Sequence, residues 1–222
     1  MTNSPSSGRL PFYLYAITDR HVLPRGGSLV TATEQAVEQA SPSSLAVLLR
    51  DKDLAFQERL ELAQRLRAVT LRRGVYFLVH GDLDLAMRCG ADGVHMPDDG
   101  RDLRSIRHEA PGLLLGVSCH DNEGLQRAAA EGASFATLSP VRPSLGKAAP
   151  GEELGWDRFE QMSSKCPIPV FALGGLGPDD GPTARQRGAW GIAAISSIFA
   201  AAEPGQVIAA LTSSLRSTEA TR

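Results

Sequence analysis

The sequence is short of cysteine, of charge imbalance and of long apolar runs, and each shortage excludes a class of protein. Three cysteines, Cys89, Cys119 and Cys166, cannot all pair within one chain, and their spacing matches no zinc pattern. A disulfide framework and a structural zinc site are excluded, and a reduced, cytoplasmic setting is expected. Lysine and arginine number 23 against 25 aspartates and glutamates, so the formal net charge of -2 offers no global attraction for nucleic acid. No apolar run reaches the roughly 18 residues of a membrane span. The stretch from Met1 to Leu10 has no apolar core of a secretory signal and is rich in Ser, Pro and Gly. It reads as a disordered lead-in. One globular body over residues 12–216 is expected, between a lead-in at 1–11 and a tail at 217–222. Glycine is also missing from one informative place. Thr18-Asp19-Arg20-His21, after the first strand, has no Gly-rich turn, which counts against a doubly wound dinucleotide fold.

Apolar residues make up 42% of the chain, enough for a substantial core. They fall in short runs that alternate with helical stretches. The strand candidates are Tyr13–Thr18, Leu45–Arg50, Val75–His80, Gly93–Met96, Leu113–Ser118, Phe135–Ser139, Val170–Gly174 and Gly191–Ser196. Continuous apolar strands separated by helices indicate a parallel sheet covered on both faces. The clearest helix is Leu54–Arg73, with Leu62, Leu66 and Val69 on one face and Gly74 to end it. Eight such units predict an α/β fold of the (βα)8 TIM barrel type; a six-strand doubly wound sheet is the runner-up.

In such a barrel the active site lies where strands end and βα loops begin. Arg50 and Lys52 share one side at a strand end and suit a phosphate or diphosphate, unless Asp51 and Asp53 merely neutralise them. Alternation sends Ser118 and His120 inward and Cys119 outward, which argues against a Cys119–His120 nucleophile pair. A histidine at a barrel mouth can move protons near neutral pH. Gly174 and Gly175 permit close backbone approach, and Ser196 and Ser197 can open a short helix with N–H groups facing an anion. These are the two loops where such barrels often bind phosphate. Lys147 lies in a long irregular loop, and Cys89 reads as packing.

Several pieces together resemble the thiamine phosphate synthase and thiazole tautomerase superfamily. They are Tyr15-Ala16-Ile17-Thr18-Asp19, Leu49-Arg50-Asp51-Lys52, Gly90-Ala91-Asp92-Gly93-Val94-His95, Gly116-Val117-Ser118-Cys119-His120, Ser139-Pro140-Val141 through Lys147, Leu173-Gly174-Gly175, and Ile195-Ser196-Ser197-Ile198. The resemblance covers about Tyr13 to Pro204 and implies the barrel. In the synthases a pyrimidine diphosphate loses its diphosphate as a thiazole phosphate attacks, and two aspartates hold Mg²⁺. Here the Asn-Asp-Arg triplet reads His80-Gly81-Asp82, and the second aspartate position falls on Gly100 beside Asp98 and Asp99. The tautomerase branch also carries a glycine for the metal aspartate. The resemblance therefore implies a cofactor-independent thiazole tautomerase, an isomerase with His120 as acid/base and no metal. Arg50, Lys52, His80, Ser118, Ser144 and Lys147 would contact substrate, and Gly174, Gly175, Ser196 and Ser197 its phosphate. The alternative is a Mg²⁺-dependent thiamine phosphate synthase, with Asp82, Asp98 or Asp99 replacing the lost ligands. A second alternative is a non-catalytic binder of a phosphorylated ligand. The expected partner is a small-molecule thiazole phosphate, with no nucleic acid and no membrane; association into a homo-oligomer is left open.

Overall fold

A computed structural model of the chain describes residues 10–143 and 153–216. Eight parallel strands close into a barrel in sequence order: β1 Leu14–Ile17, β2 Leu45–Leu49, β3 Tyr76–His80, β4 Gly93–Met96, β5 Leu114–Cys119, β6 Phe135–Leu138, β7 Val170–Leu173 and β8 Gly191–Ala194. Each expected strand is present; β4 has the expected ends, and the ends of the others shift by at most two residues. The helices between them are α1 Leu29–Glu38, α2 Phe56–Arg72, α3 Leu83–Arg88, α4 Leu103–Glu109, α5 Asn122–Ala130, α6 Gly155–Ser163 and α7 Gly181–Gln186. A short α8, Ser196–Phe199, and then α9, Pro204–Arg216, follow β8. The architecture is the (βα)8 barrel, not the doubly wound sheet.

Local chemistry accounts for the helix ends. Helix α2 starts two residues later than the periodicity suggests. Ala55 stays extended, and the Glu58 carboxylate accepts from its N–H at 3.0 Å. Gly74, at a φ of +64°, ends the helix. Asp82, Asp102 and Asp121 cap α3, α4 and α5 by accepting from backbone N–H groups of the first turn.

Strand alternation divides the core in two. Outward residues such as Val47, Val79, Val94 and Cys119 join the buried layer under the helices, together with Leu66 and Val69 of α2. Inward residues Tyr15, Ile17, Leu48, Leu78, Leu114, Phe135 and Phe171 fill the barrel. Phe12, just before β1, closes the floor. Its ring lies 5.5 to 5.8 Å from those of Tyr15, Tyr76, Phe135 and Phe171. The Trp190 indole donates to the Phe12 carbonyl at 2.7 Å and fixes the segment there.

The seam between β8 and β1 admits no side chain at Gly191. A Cβ there would lie 1.8 Å from the Tyr13 carbonyl oxygen, which is backbone and cannot rotate away. Overpacking of this kind costs typically 1–3 kcal/mol and sometimes more. We expect Gly191→Ala to lower the unfolding free energy by about 3 kcal/mol, read from the urea midpoint; an unchanged midpoint would show that the seam yields.

Candidate active site

The rim at the C-terminal ends of β2, β3 and β4 carries positive charge. Arg50 follows β2, and its N–H donates to the Thr18 hydroxyl at 3.0 Å. Thr18 in turn donates to Asp51 Oδ2 at 2.7 Å, and Asp51 Oδ1 accepts from the Arg20 N–H at 2.8 Å. Asp51 is thus consumed in positioning the strand end, and Asp53 pairs with Arg20 and His21. The two flanking carboxylates do not neutralise the pair. The Arg50 guanidinium reaches Asp19 only at 4.0 Å, and Lys52 makes no ion pair among the described residues. Desolvation, and then Arg50, lower the Lys52 ammonium below its ordinary range.

Inside the mouth a buried polar column begins. The Tyr15 hydroxyl lies 3.2 Å from His95 Nδ1, and His95 Nε2 lies 3.0 Å from Ser118 Oγ. The His80 ring stacks on His95 at 6.2 Å. Gly116 makes the space: a Cβ there would sit 2.4 Å from His95 Nδ1. His95 is 1% exposed, and burial, reinforced by His80 and Lys52, holds its pKa down to about 3. His80 is also held to about 3, by burial first and then by Lys52, Arg50 and Arg101. Both imidazoles are neutral at physiological pH. Burial pushes the Tyr15 phenol well above 10, so it stays protonated. His120, one residue beyond β5, donates through Nδ1 to the Ser139 carbonyl at 2.9 Å; a carbonyl can only accept, so Nδ1 carries a proton. Cys119 points away, fully buried, with its thiol pushed up to about 12 by burial. It is no nucleophile.

Across the mouth, between β7 and β8, lies a cavity of about 530 Å³. Gly174, Gly175, Ser196 and Ser197 line it, with Leu173, Ala193 and Ile195 as apolar wall. Gly174 and Gly175 have φ values of +108° and +59°. Their missing side chains let the loop around Pro140 and Pro143 approach, since a Cβ on either would meet backbone atoms within 3 Å. The Ser197 hydroxyl is buried without a hydrogen-bond partner among the described residues.

A carboxylate-held magnesium does not fit these residues. Gly81 offers no side chain. Asp82 caps α3 and pairs with Arg59, Asp98 pairs with Arg127, and Asp99 pairs with Arg101 at 2.9 Å. Among the described residues no three His, Cys, Asp or Glu side chains converge on one point. Magnesium prefers a near-octahedral set of oxygens, and each candidate carboxylate here already pairs with an arginine.

The structure thus brings Arg50, Lys52 and His80 together on one sector of the mouth, and Gly174, Gly175, Ser196 and Ser197 on another, with Ser118 and His120 between. Ser144 and Lys147 lie outside the described residues. Tyr15, His95 and Arg101 were not singled out from sequence. Alternation from Gly93 already directs His95 inward, a signal that was available. Arg101 reaches the mouth through a contact between two loops, which no local pattern encodes.

The buried histidines link stability to pH. Both folded pKa values lie below the unfolded value of 6.5, so the unfolded chain binds more protons as pH falls below that value. Stability is complete above 6.5 and declines toward 3. Between pH 7 and 5.5 each histidine should remove about 1 kcal/mol from the unfolding free energy. Urea unfolding at the two pH values checks this, and His95→Gln should remove about half of the difference.

Comparisons with known proteins agree with the geometry on the family and correct the expected reaction. A family model described as thiamine monophosphate synthase matches residues 14–198. A Geobacter sulfurreducens protein provisionally named a thiamine-phosphate synthase is 40% identical over 204 residues, 91% of this chain and 94% of that protein. The thiamine-phosphate synthase of Methanocella arvoryzae is 34% identical over 190 residues, 85% of this chain and 88% of that one. The solved thiamine phosphate pyrophosphorylase from Pyrococcus furiosus superposes with a TM-score of 0.82 at 25% identity, covering 94% of this chain and 98% of that one. The two sequence relatives bear the synthase name and the solved structure the pyrophosphorylase name, which overturns the expectation of a thiazole tautomerase, an isomerase. Gly81, where the resemblance puts a metal aspartate, is not enough to assign the tautomerase reaction. No helix among the described residues is long and apolar enough to cross a membrane. The chain belongs to the thiamine monophosphate synthase family.

Proposed function

We propose that this protein is a thiamine-phosphate synthase, a transferase that joins a pyrimidine carried on a diphosphate to a thiazole phosphate and releases the diphosphate. One observation carries the reading from the family to this chain: the mouth offers two separate places suited to anions. The cationic sector of Arg50 and Lys52 suits a diphosphate. The glycine- and serine-lined cavity at β7 and β8 suits a single phosphate. Joining two phosphorylated molecules needs both. A binder of one phosphorylated ligand would have no use for the second.

The residues take roles accordingly. Backbone N–H groups near Gly174, Gly175 and Ser196, with the Ser197 hydroxyl, anchor the thiazole phosphate. Arg50 and Lys52 hold the diphosphate and oppose its growing negative charge. Neutral His80 stands beside those cations and accepts or donates a hydrogen bond without adding charge. His95, clamped between Tyr15 and Ser118, fixes the Ser118 hydroxyl at the inner wall. In the coupling step the bond between the pyrimidine methylene and the diphosphate oxygen breaks, and the oxygen keeps the electron pair. The thiazole nitrogen supplies the pair for the new C–N bond. That exchange moves no proton, so His120 orients substrate here and does not shuttle protons.

The reading is checked by incubating the protein with pyrimidine diphosphate and thiazole phosphate and following the coupled product by mass. No product at any Mg²⁺ concentration would overturn it. Ser197→Ala should raise the KM for the thiazole phosphate about tenfold or more, the worth of a hydrogen bond to a charged group. It should leave the melting temperature unchanged, because the hydroxyl has no protein partner to lose among the described residues.

A further inference from the structure

One cation at the mouth has no part in the roles above. Arg101 lies in the loop between β4 and α4 and crosses to the loop after β3. Its Nη1 donates to the Gly81 carbonyl at 3.1 Å, and its Nε donates to Asp99 Oδ2 at 2.9 Å. These two contacts fix the plane of the guanidinium and leave Nη2 without a hydrogen bond among the described residues. The side chain is 47% exposed, so its outer edge faces solvent. Strand registry sets the neighbours. Leu49 pairs with Val79, and His80 pairs with His95, so Arg50, His80 and the Gly81 carbonyl come from adjoining strand ends. Beside Gly81 there is room. A Cβ built there meets nothing nearer than Pro97 Cδ at 3.9 Å. The charge is felt at this point, since Arg101 joins Lys52 and Arg50 in opposing protonation of His80.

The geometry points to Arg101 as the fixed cation that receives the charge of the departing diphosphate, in the position where the family resemblance puts a carboxylate-bound metal. This rests on the synthase reading. The bond exchange is the one already written, and the oxygen that leaves with the electron pair leaves toward the free edge of the guanidinium. No oxidant, reductant or proton donor enters. A guanidinium stays protonated at any working pH and offers paired N–H groups to phosphate oxygens, so it needs no metal to act. Asp99 is then the positioning residue that aims it.

The test uses inorganic pyrophosphate as probe, titrated calorimetrically into the full-length protein with EDTA present. The wild-type protein should bind it without a divalent cation. Arg101→Gln should bind about 10- to 100-fold more weakly, the range for losing a charge-assisted hydrogen bond. Arg101→Lys should fall between them, since it keeps the charge and loses the fork. Arg88→Gln, which removes one positive charge from a pair with Asp84 on α3, should match wild type. Coupling assays in EDTA should show the same order. Equal pyrophosphate affinity in Arg101→Gln and Arg88→Gln, with coupling intact, overturns the role of Arg101 while the synthase reading stands. So does a wild-type protein that binds pyrophosphate only when Mg²⁺ is added. Weakened binding in Arg101→Gln, in a protein that forms no coupled product, supports the cation site and overturns the synthase reading instead.

Discussion

Everything at the mouth depends on the strict alternation of side chains along strands that close into a ring. Closure removes the sheet edges and leaves each strand residue one of two destinations, the helix layer or the barrel interior. A shift of one residue would exchange them. Leu48 and Leu78 point inward, so the next inward positions, Arg50 and His80, lie above them at the rim. Gly116 and Ser118 are inward on β5, so one makes space for His95 and the other bonds it. The same rule sends Cys119 outward to be buried among helices. The site is the top layer of a stack whose lower layers are aromatic and aliphatic.

This explains which parts of the protein the sequence revealed. The strands were visible as apolar runs ending in polar or glycine residues, because parallel strands buried on both faces cannot disguise their composition. The glycines and serines at β7 and β8 stand out in the sequence because they follow apolar strand runs at the two loops where such barrels often bind phosphate. The Tyr15–His95–Ser118 column was less visible. Its members come from β1, β4 and β5, and only the closed ring brings them within hydrogen-bonding distance. Arg101 was least visible, because its partner is a backbone carbonyl in another loop, and a carbonyl leaves no mark in a sequence. The expected reaction class failed for a related reason. A glycine in place of the metal aspartate points to the tautomerase branch, yet one missing ligand does not identify a reaction.

The acidic residues near Gly81 illustrate how position outranks composition. Asp82, Asp98 and Asp99 are close together in sequence terms and would suggest a metal cluster. In space each is turned to an arginine: Asp82 to Arg59 on α2, Asp98 to Arg127 on α5, and Asp99 to Arg101 two residues on in its own loop. Carboxylates held this way contribute to loop order and helix capping, and an isolated cation would have to displace a guanidinium to reach them. The rim is therefore electrostatically biased toward anions even though the whole chain is nearly neutral.

The aromatic floor gives this bias a direction. Phe12 and the rings packed around it fill the N-terminal end of the barrel among the described residues, and the Trp190 bond holds Phe12 in place. With the interior packed from that floor upward, the C-terminal rim is the face of the barrel that a ligand can meet among the described residues. The rings therefore act as a rigid footing that sets the height at which Tyr15, His95 and Ser118 stand.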